Sequence, residues 1–267
     1  MNNRYGLLGK TLSHSFSPKL HSKILEYMHI EGSYELFETD EERLPLILKE
    51  LHALPLKGLN VTIPYKIEML RYVDDVSSQA GKIGSINTIA FTKNGTKGYN
   101  TDYDGFKRML NYFQIPIQNN KVVLLGAGGA SKAIIECLKD EDAADITLIS
   151  RNPEKARVTF PSLNILPYEA VKTLKKDLIV NCTPIGMHPH TDASPISHED
   201  LDGASCLVDI IYNPKKTRLM QMAEDCCIKN INGLYMLIGQ AIKSQEIWND
   251  RIIPEDIVTK IYEEMHL

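Results

Sequence analysis

Lys121-Val122-Val123-Leu124-Leu125 runs into the glycine cluster Gly126-Ala127-Gly128-Gly129-Ala130-Ser131, and a helical pattern follows from Ser131 to Lys139. A continuous apolar run ended by glycines and followed by a helix reads as a buried parallel strand, a tight turn and a crossover. Parallel strands need such crossovers, so this segment commits the chain to an α/β fold. The glycines also carry a chemical reading. The first permits the tight turn, the second lets the backbone approach a pyrophosphate, and the helix start offers free N–H groups and its dipole to phosphate. Ser131 stands where the third glycine of that dinucleotide fingerprint belongs. A ligand-free strand-to-helix turn is the alternative, and the flanking strand and helix favour the nucleotide.

The next strand bears on which nucleotide. A site for NAD usually places an acidic residue there to accept from the ribose 2′-OH. Here the strand runs into Ser150-Arg151-Asn152-Pro153-Glu154-Lys155, with Arg151 in the acidic position. A guanidinium matches a 2′-phosphate, which it can bind bidentately, and Lys155 adds charge one turn later. Asn152-Pro153 is a cap and first-turn pair, whose simplest role is to start a helix. A solvated surface charge is the other reading of Arg151; with the fingerprint upstream, NADP is preferred.

The 267 residues suit two domains. Short apolar runs alternate with amphipathic stretches along the whole chain. Strands are expected over 4–9, 34–37, 58–64, 86–92 and 98–100, the last two joined by a turn at Asn94-Gly95. Ser17-Pro18 reads as an N-cap and first-turn pair, with Leu20, Ile24, Leu25 and Met28 on the buried face of the helix it starts. Further helices are expected over 41–51, 102–113, 234–248 and 255–266, and further strands over 146–150, 178–181 and 206–209. The texture changes at the polar stretch 116–120, which puts a domain boundary in or just before the 102–113 helix. The expected division is a substrate domain of residues 1–102 completed by 237–267, and a Rossmann domain of residues 103–236.

A net charge of -4 and a pI near 6.1 give no electrostatic reason to expect nucleic acid as a partner. No apolar run approaches the roughly 20 residues that cross a bilayer, and the first residues lack the apolar core of a secretory signal. Five cysteines with no C-x-x-C pair suggest reduced thiols in a cytoplasmic protein.

Reduction of a ketone by hydride needs a proton donor for the developing alkoxide, because the cofactor supplies only the hydride. Lys66 stands just beyond a strand in Asn60-Val61-Thr62-Ile63-Pro64-Tyr65-Lys66, and Asp102 follows another in Asn100-Thr101-Asp102. Strand C-termini are where α/β sheets place ligands. Spacing alone leaves two readings open: a donor pair, or a surface lysine and a helix cap.

Ser15-Phe16-Ser17, the segments 60–66, 86–88 and 100–102, Gly126 to Ser131, Asn181-Cys182-Thr183-Pro184-Ile185-Gly186-Met187 and Gly233-x-x-Met236-Leu237-x-x-Gln240 together resemble the shikimate dehydrogenase family, in its order and nearly end to end. That resemblance implies NADPH-dependent reduction of 3-dehydroshikimate to shikimate, on the route to chorismate and the aromatic amino acids. It implies Lys66 and Asp102 as the catalytic pair and Ser15 and Ser17 as binders of the substrate carboxylate. Asn60, Thr62, Asn87, Thr101 and Gln240 would hold substrate hydroxyls or orient the pair. Tyr212 would lie near substrate or nicotinamide, Gly186 and Met187 near the nicotinamide, and Thr183 and Gly233 on the cofactor side with Gly126, Gly128, Gly129, Ala130 and Ser131. The family's usual Asn-Arg-Thr is Ser150-Arg151-Asn152 here, so Arg151 is kept and its neighbours differ. The resemblance also implies that the C-terminal helices return to the first domain, in a monomer or homodimer. His188-Pro189-His190 has two histidines but no third ligand nearby, so it reads as a loop, and the chemistry needs no metal. Two rivals are an NAD-preferring quinate/shikimate dehydrogenase, against which Arg151 speaks, and a silent ligand-binding paralogue, against which Lys66 and Asp102 speak.

Overall fold

The computed structural model describes residues 3–13 and 15–266. The chain divides into two compact units, Met1–Phe106 with Ile238–Leu267, and Lys107–Leu237. Both crossings fall inside helices, a few residues later than the expected 102/103 and 236/237. A helix has no internal break at which one unit must stop, so the sequence places both boundaries slightly early.

In the first unit, β1 (Asn3–Gly9), α1 (Ser17–Tyr27), β2 (Gly32–Glu38), α2 (Leu44–His52) and β3 (Leu56–Val61) form two parallel crossovers. A short β4 (Asp75–Val76) and α3 (Ser78–Ile83) follow, then the hairpin β5 (Thr88–Thr92) and β6 (Gly95–Tyr99), and α4 (Thr101–Tyr112) leads out of the unit. The sheet order is β2-β1-β3-β5-β6-β4, with β5 antiparallel to both of its neighbours. Leu20, Ile24, Leu25 and Met28 are all buried, as helical spacing requires.

Three details differ from expectation. Ser17 is the first residue of α1 rather than its cap, and Phe16 precedes the helix with no side-chain cap. The Ser15 hydroxyl instead accepts from the Ser17 N–H at 3.2 Å. The hairpin closes one step earlier than Asn94-Gly95, because Thr92 pairs with Gly95 and leaves Lys93-Asn94 as the turn. The expected helix over 41–51 opens as a 3₁₀ turn, Glu41–Arg43, before α2 begins.

The second unit holds β7 (Lys121–Leu125), α5 (Gly129–Asp140), β8 (Asp145–Ile149), α6 (Pro153–Thr159), β9 (Asn164–Leu166), β10 (Leu178–Asn181), β11 (Cys206–Asp209), α7 (Arg218–Asp225) and β12 (Lys229–Asn232). Its six strands are all parallel in the order β12-β11-β10-β7-β8-β9, a doubly wound sheet with its switch point between β7 and β10. The continuous apolar runs follow from burial on both faces.

The chain then returns through α8 (Leu234–Asn249) and α9 (Glu255–His266) to the first unit. Trp248 of α8 lies on β3 where Gly58 leaves room, since a Cβ there would meet the indole at 2.1 Å. The indole N–H donates to the Ile89 carbonyl at 3.0 Å, which satisfies its one polar atom in the core. Burial of a side chain of this size contributes several kcal/mol, so α8 is anchored and not merely adjacent.

Candidate active site

Strand register assembles the polar cluster of the first unit. β3 pairs antiparallel with β5, which sets Asn60 against Thr88, and β5 pairs with β6, which sets Thr88 against Tyr99. The residues just past those pairs, Thr62 to Lys66, Asn87 and Asn100 to Asp102, therefore gather at one edge of the sheet. Lys66 Nζ donates to Asp102 Oδ2 at 2.6 Å, with side-chain exposures of 14% and 3%. Asn87 Nδ2 donates to the other carboxylate oxygen at 2.9 Å and to Gln240 Oε1 at 3.1 Å. Asn87 Oδ1 accepts from the Thr101 N–H at 2.7 Å and the Thr101 hydroxyl at 3.1 Å. Asn100 accepts from the Asp102 N–H at 3.2 Å, so Asn100 starts α4 and leaves the Asp102 carboxylate for Lys66. The lysine is not a loose surface charge, and the aspartate is not a cap.

Asn60 turns its Nδ2 toward Asn87 O, Thr88 Oγ1 and Ser244 Oγ at 3.2, 3.0 and 2.9 Å, and its Oδ1 accepts from the Tyr34 hydroxyl at 2.8 Å. Gln240 reaches the cluster because α8 is anchored by Trp248. Thr62 is half-buried, and its hydroxyl has no hydrogen-bond partner among the described residues. Ser15, just ahead of α1, and Ser17, its first residue, are both half-buried.

Three of the residues beneath this cluster escaped the sequence reading: His21, Tyr34 and Ser244. The Ser244 hydroxyl is fully buried, touches Thr88 and Thr101 at 2.9 and 3.3 Å, and donates to Gln240 O at 2.9 Å. His21 stacks on Tyr34 at 4.1 Å and meets Gln245 at 3.0 Å. Burial lowers its pKa to about 3, so it is held neutral. An inward polar side chain on α8 was the available signal for Ser244. For His21 and Tyr34 no sequence motif exists, because their partners lie in other segments.

In the second unit the nucleotide loop is held by its own side chains. Gly126 has φ of 94°, and a Cβ there would meet Thr183 Cγ2 at 2.7 Å, so only glycine fits. Ser131 is fully buried; its hydroxyl donates to Gly126 O at 2.7 Å and accepts from Gly128 N at 3.1 Å. The departure from the three-glycine pattern therefore closes the loop from within. Gly129 and Ala130 form the first turn of α5, with their N–H groups at its open end. Gly128 is different: a Cβ there would come no closer than 3.9 Å to any protein atom. Packing does not demand glycine at 128, whereas a phosphate drawn against the backbone would.

Arg151 is exposed just past β8 and makes no hydrogen bond or ion pair with other described residues, and Lys155 is exposed on α6. Asn152 caps α6 by accepting from Lys155 N at 3.0 Å, the role expected of it. At the ends of β10 and β11, Asn181 accepts from the Thr183 N–H and hydroxyl at 3.0 and 2.7 Å. Asn181 also donates to Asp209 Oδ1 at 3.0 Å. Asp209 accepts in addition from Ile211 N and the Thr217 hydroxyl, and burial pushes its carboxyl up to about 6 against those three donors. Asp209 and Thr217 were not singled out from sequence, yet they hold the loops bearing Thr183 and Tyr212. Gly186 adopts φ of 95°, and Met187 is exposed. Tyr212 is half-buried, and burial raises its hydroxyl pKa. Gly233 has a packing reason of its own, since a Cβ would meet the Ile210 carbonyl at 1.9 Å.

Residues 7–89 match the model of the shikimate dehydrogenase substrate binding domain, and residues 121–213 match that of NADP oxidoreductase, coenzyme F420-dependent. The chain is 40% identical over 264 residues to shikimate dehydrogenase (NADP(+)) of Clostridium beijerinckii, covering 97% of this chain and 96% of the relative. The chain belongs to the shikimate dehydrogenase family. Among solved structures, a chorismate mutase/shikimate 5-dehydrogenase fusion protein from Clostridium acetobutylicum superposes with a TM-score of 0.97 at 43% identity, covering 100% of this chain and 98% of that one. The shikimate 5-dehydrogenase of Thermus thermophilus in complex with NADP(H) and shikimate superposes with a TM-score of 0.89 at 31% identity, covering 98% and 99%. No helix among the described residues is long and apolar enough to cross a membrane.

Proposed function

We propose that this chain reduces 3-dehydroshikimate reversibly to shikimate with NADPH, Lys66 and Asp102 acting as the catalytic pair. The observation that carries the reading is the 2.6 Å contact between Lys66 and a nearly buried Asp102. An ammonium held by one carboxylate oxygen keeps two donor hydrogens for a substrate oxygen. Asn87 holds the second oxygen of Asp102 and so fixes the direction in which the ammonium points. In this proposal Lys66 gives its proton to the oxygen that becomes the new hydroxyl, and Asp102 stabilises the ammonium before transfer. Thr62, Thr101, Asn87 and Gln240 offer neutral donors and acceptors to the ring hydroxyls, and Ser15 and Ser17 to the carboxylate. Each buried hydroxyl of a small acid needs such a partner.

NADPH, when bound, supplies the hydride. The second unit fits that cofactor: the space at Gly128 and the open N–H groups of α5 suit a pyrophosphate, and the unpaired Arg151, with Lys155, suits a 2′-phosphate. Thr183, Gly186, Met187 and Tyr212 lie on the loops after β10 and β11, where a doubly wound sheet carries the rest of such a ligand. Gly126, Ser131 and Gly233 act by shaping backbone. The function of residues 1–102 with 237–267 is then substrate binding, and that of 103–236 is cofactor binding. We infer a cytoplasmic enzyme, monomeric or homodimeric, from the five free cysteines and the biosynthetic reaction.

Absorbance of NADPH during shikimate oxidation tests the reading. Turnover with NADP and shikimate, and much less with quinate or NAD, is the expected result; no turnover on either acid sinks it.

A further inference from the structure

One buried carboxylate ties together the loops that follow β10 and β11. Asp209 ends β11 and is fully buried, and its side chain accepts three hydrogen bonds. Asn181 Nδ2 and Ile211 N donate to Oδ1 at 3.0 and 3.1 Å, and the Thr217 hydroxyl donates to Oδ2 at 2.7 Å. Each donor governs a different piece of backbone. Asn181 accepts from the N–H and hydroxyl of Thr183, whose Cγ2 lies 2.7 Å from where a Cβ on Gly126 would stand. Ile211 N begins the segment that carries Tyr212. Thr217 accepts from Met220 N at 3.2 Å and so caps α7, while its Cβ lies 3.6 Å from where a Cβ on Gly186 would stand. His188 N donates to Asn213 O at 3.1 Å, which joins the two loops a second time.

Three donors at one point account for an acid in the core. A carboxylate accepts on both oxygens, whereas an amide of the same size would turn an NH2 toward one of these donors. An apolar side chain would fill the space without the cost of burying a charge, so the use of the carboxylate lies in the backbone it fixes. We propose that Asp209 and Thr217 are positioning residues for the nicotinamide half of NADP: together they hold the turn from Thr183 to Met187 and the segment bearing Tyr212 in one arrangement. The proposal rests on the reaction proposed above, and neither residue touches cofactor or substrate in it. Arg151 and Lys155, assigned to the 2′-phosphate, take no part in this set of hydrogen bonds.

Thr217→Val keeps the shape of a side chain only 1% exposed and removes its hydroxyl. The kcat/KM for NADP should fall roughly 10-fold, within the range for one hydrogen bond to a charged group. Affinity for adenosine 2′,5′-bisphosphate, measured by competition with NADP, should stay unchanged, because that fragment carries the 2′-phosphate and lacks the nicotinamide. Thr217→Ser, which keeps the hydroxyl, should restore wild-type values. Asp209→Asn should move NADP and the fragment apart in the same direction, and it carries the test if Thr217→Val does not fold. A wild-type chain inactive on shikimate overturns both this proposal and the reaction it rests on. With an active wild type, equal losses for NADP and the fragment overturn the positioning role alone. So does a lowered melting temperature with unchanged kinetics, or a Thr217→Ser enzyme as impaired as Thr217→Val.

Discussion

The two units build their sites from different materials. The polar cluster of the first unit consists of side chains drawn from β3, β5, α4 and α8, and nearly every member bonds another. The nucleotide loop of the second unit lies in one continuous stretch, and it works through backbone N–H groups, a positive φ at Gly126 and the vacancy at Gly128. A polyhydroxylated acid has to be met hydroxyl by hydroxyl, which calls for many side chains at fixed positions. A pyrophosphate needs only a concave run of amides and a helix dipole. The first kind of site is therefore fragile to single side-chain changes, and the second to changes of backbone shape or of charge.

The sharpest break of that contrast is Lys66→Ala. It should lower kcat by about 10² to 10⁴, the usual range for a general acid, with NADP binding intact. Removing one partner of a buried pair also destabilises, so Lys66→Gln, which can still donate to Asp102, serves as the folded control. A Lys66→Gln enzyme with near wild-type kcat removes the proton-donor role.

Arg151→Ala asks the converse question of the second unit. Loss of NADP affinity by about 1.5–3 kcal/mol is expected, with much less effect on NAD, as for a hydrogen bond to a charged group. Titration with each cofactor separates the outcomes, and equal losses for both would assign Arg151 to the fold.

Acidity should act on the two units in opposite senses. His21 is held near 3 by burial, below its ordinary 6.5, so the unfolded chain takes up a proton that the folded one refuses. Its contribution to stability is full above pH 6.5 and falls as pH drops toward 3, by up to about 1.4 kcal/mol per pH unit. Asp209 is raised from 3.8 to about 6, so the folded chain keeps a proton that the unfolded one loses. Its contribution is full below pH 3.8 and is lost as pH rises through 6. Hydrogen exchange of α1 and β11 between those limits should show α1 loosening with acid and β11 tightening. His21→Phe should flatten the first trend and Asp209→Asn the second; parallel trends that both substitutions leave intact would dismiss the assignment.

The smallest effect concerns the start of α1. Since Ser15 accepts from the Ser17 N–H, Ser15→Ala should cost up to about 1 kcal/mol of stability, and Ser17→Ala less. Both should raise the shikimate KM. Thermal melts that rank them the other way would return the capping role to Ser17.

Much of this architecture was legible in the chain. Lys121 to Ser131 announced the parallel sheet and the tight glycine turn, because strand, turn and helix there are contiguous and each leaves a local pattern. The Asn152 cap was readable for the same reason: its partner, the Lys155 N–H, stands three residues on. The hairpin was readable as a hairpin but misplaced by one step, since Thr92 pairs with Gly95 and register is settled across strands. Lys66 and Asp102 could be picked out singly, yet nothing local distinguished a pair from a surface lysine and a helix start. They are 36 residues apart, and only the antiparallel pairing of β3, β5 and β6 brings them to 2.6 Å.

The sequence by itself determined the alternation of strand and helix, the nucleotide turn and the charge beside it, all set by neighbours along the chain. Tertiary structure alone decided which polar side chains became one network. Ser244 lies 184 residues from Asn60, and Tyr34 lies 26 residues from it. A hydrogen bond is made within about 3 Å, and no periodicity along a chain encodes that closeness until the sheet and the returning helix α8 supply it.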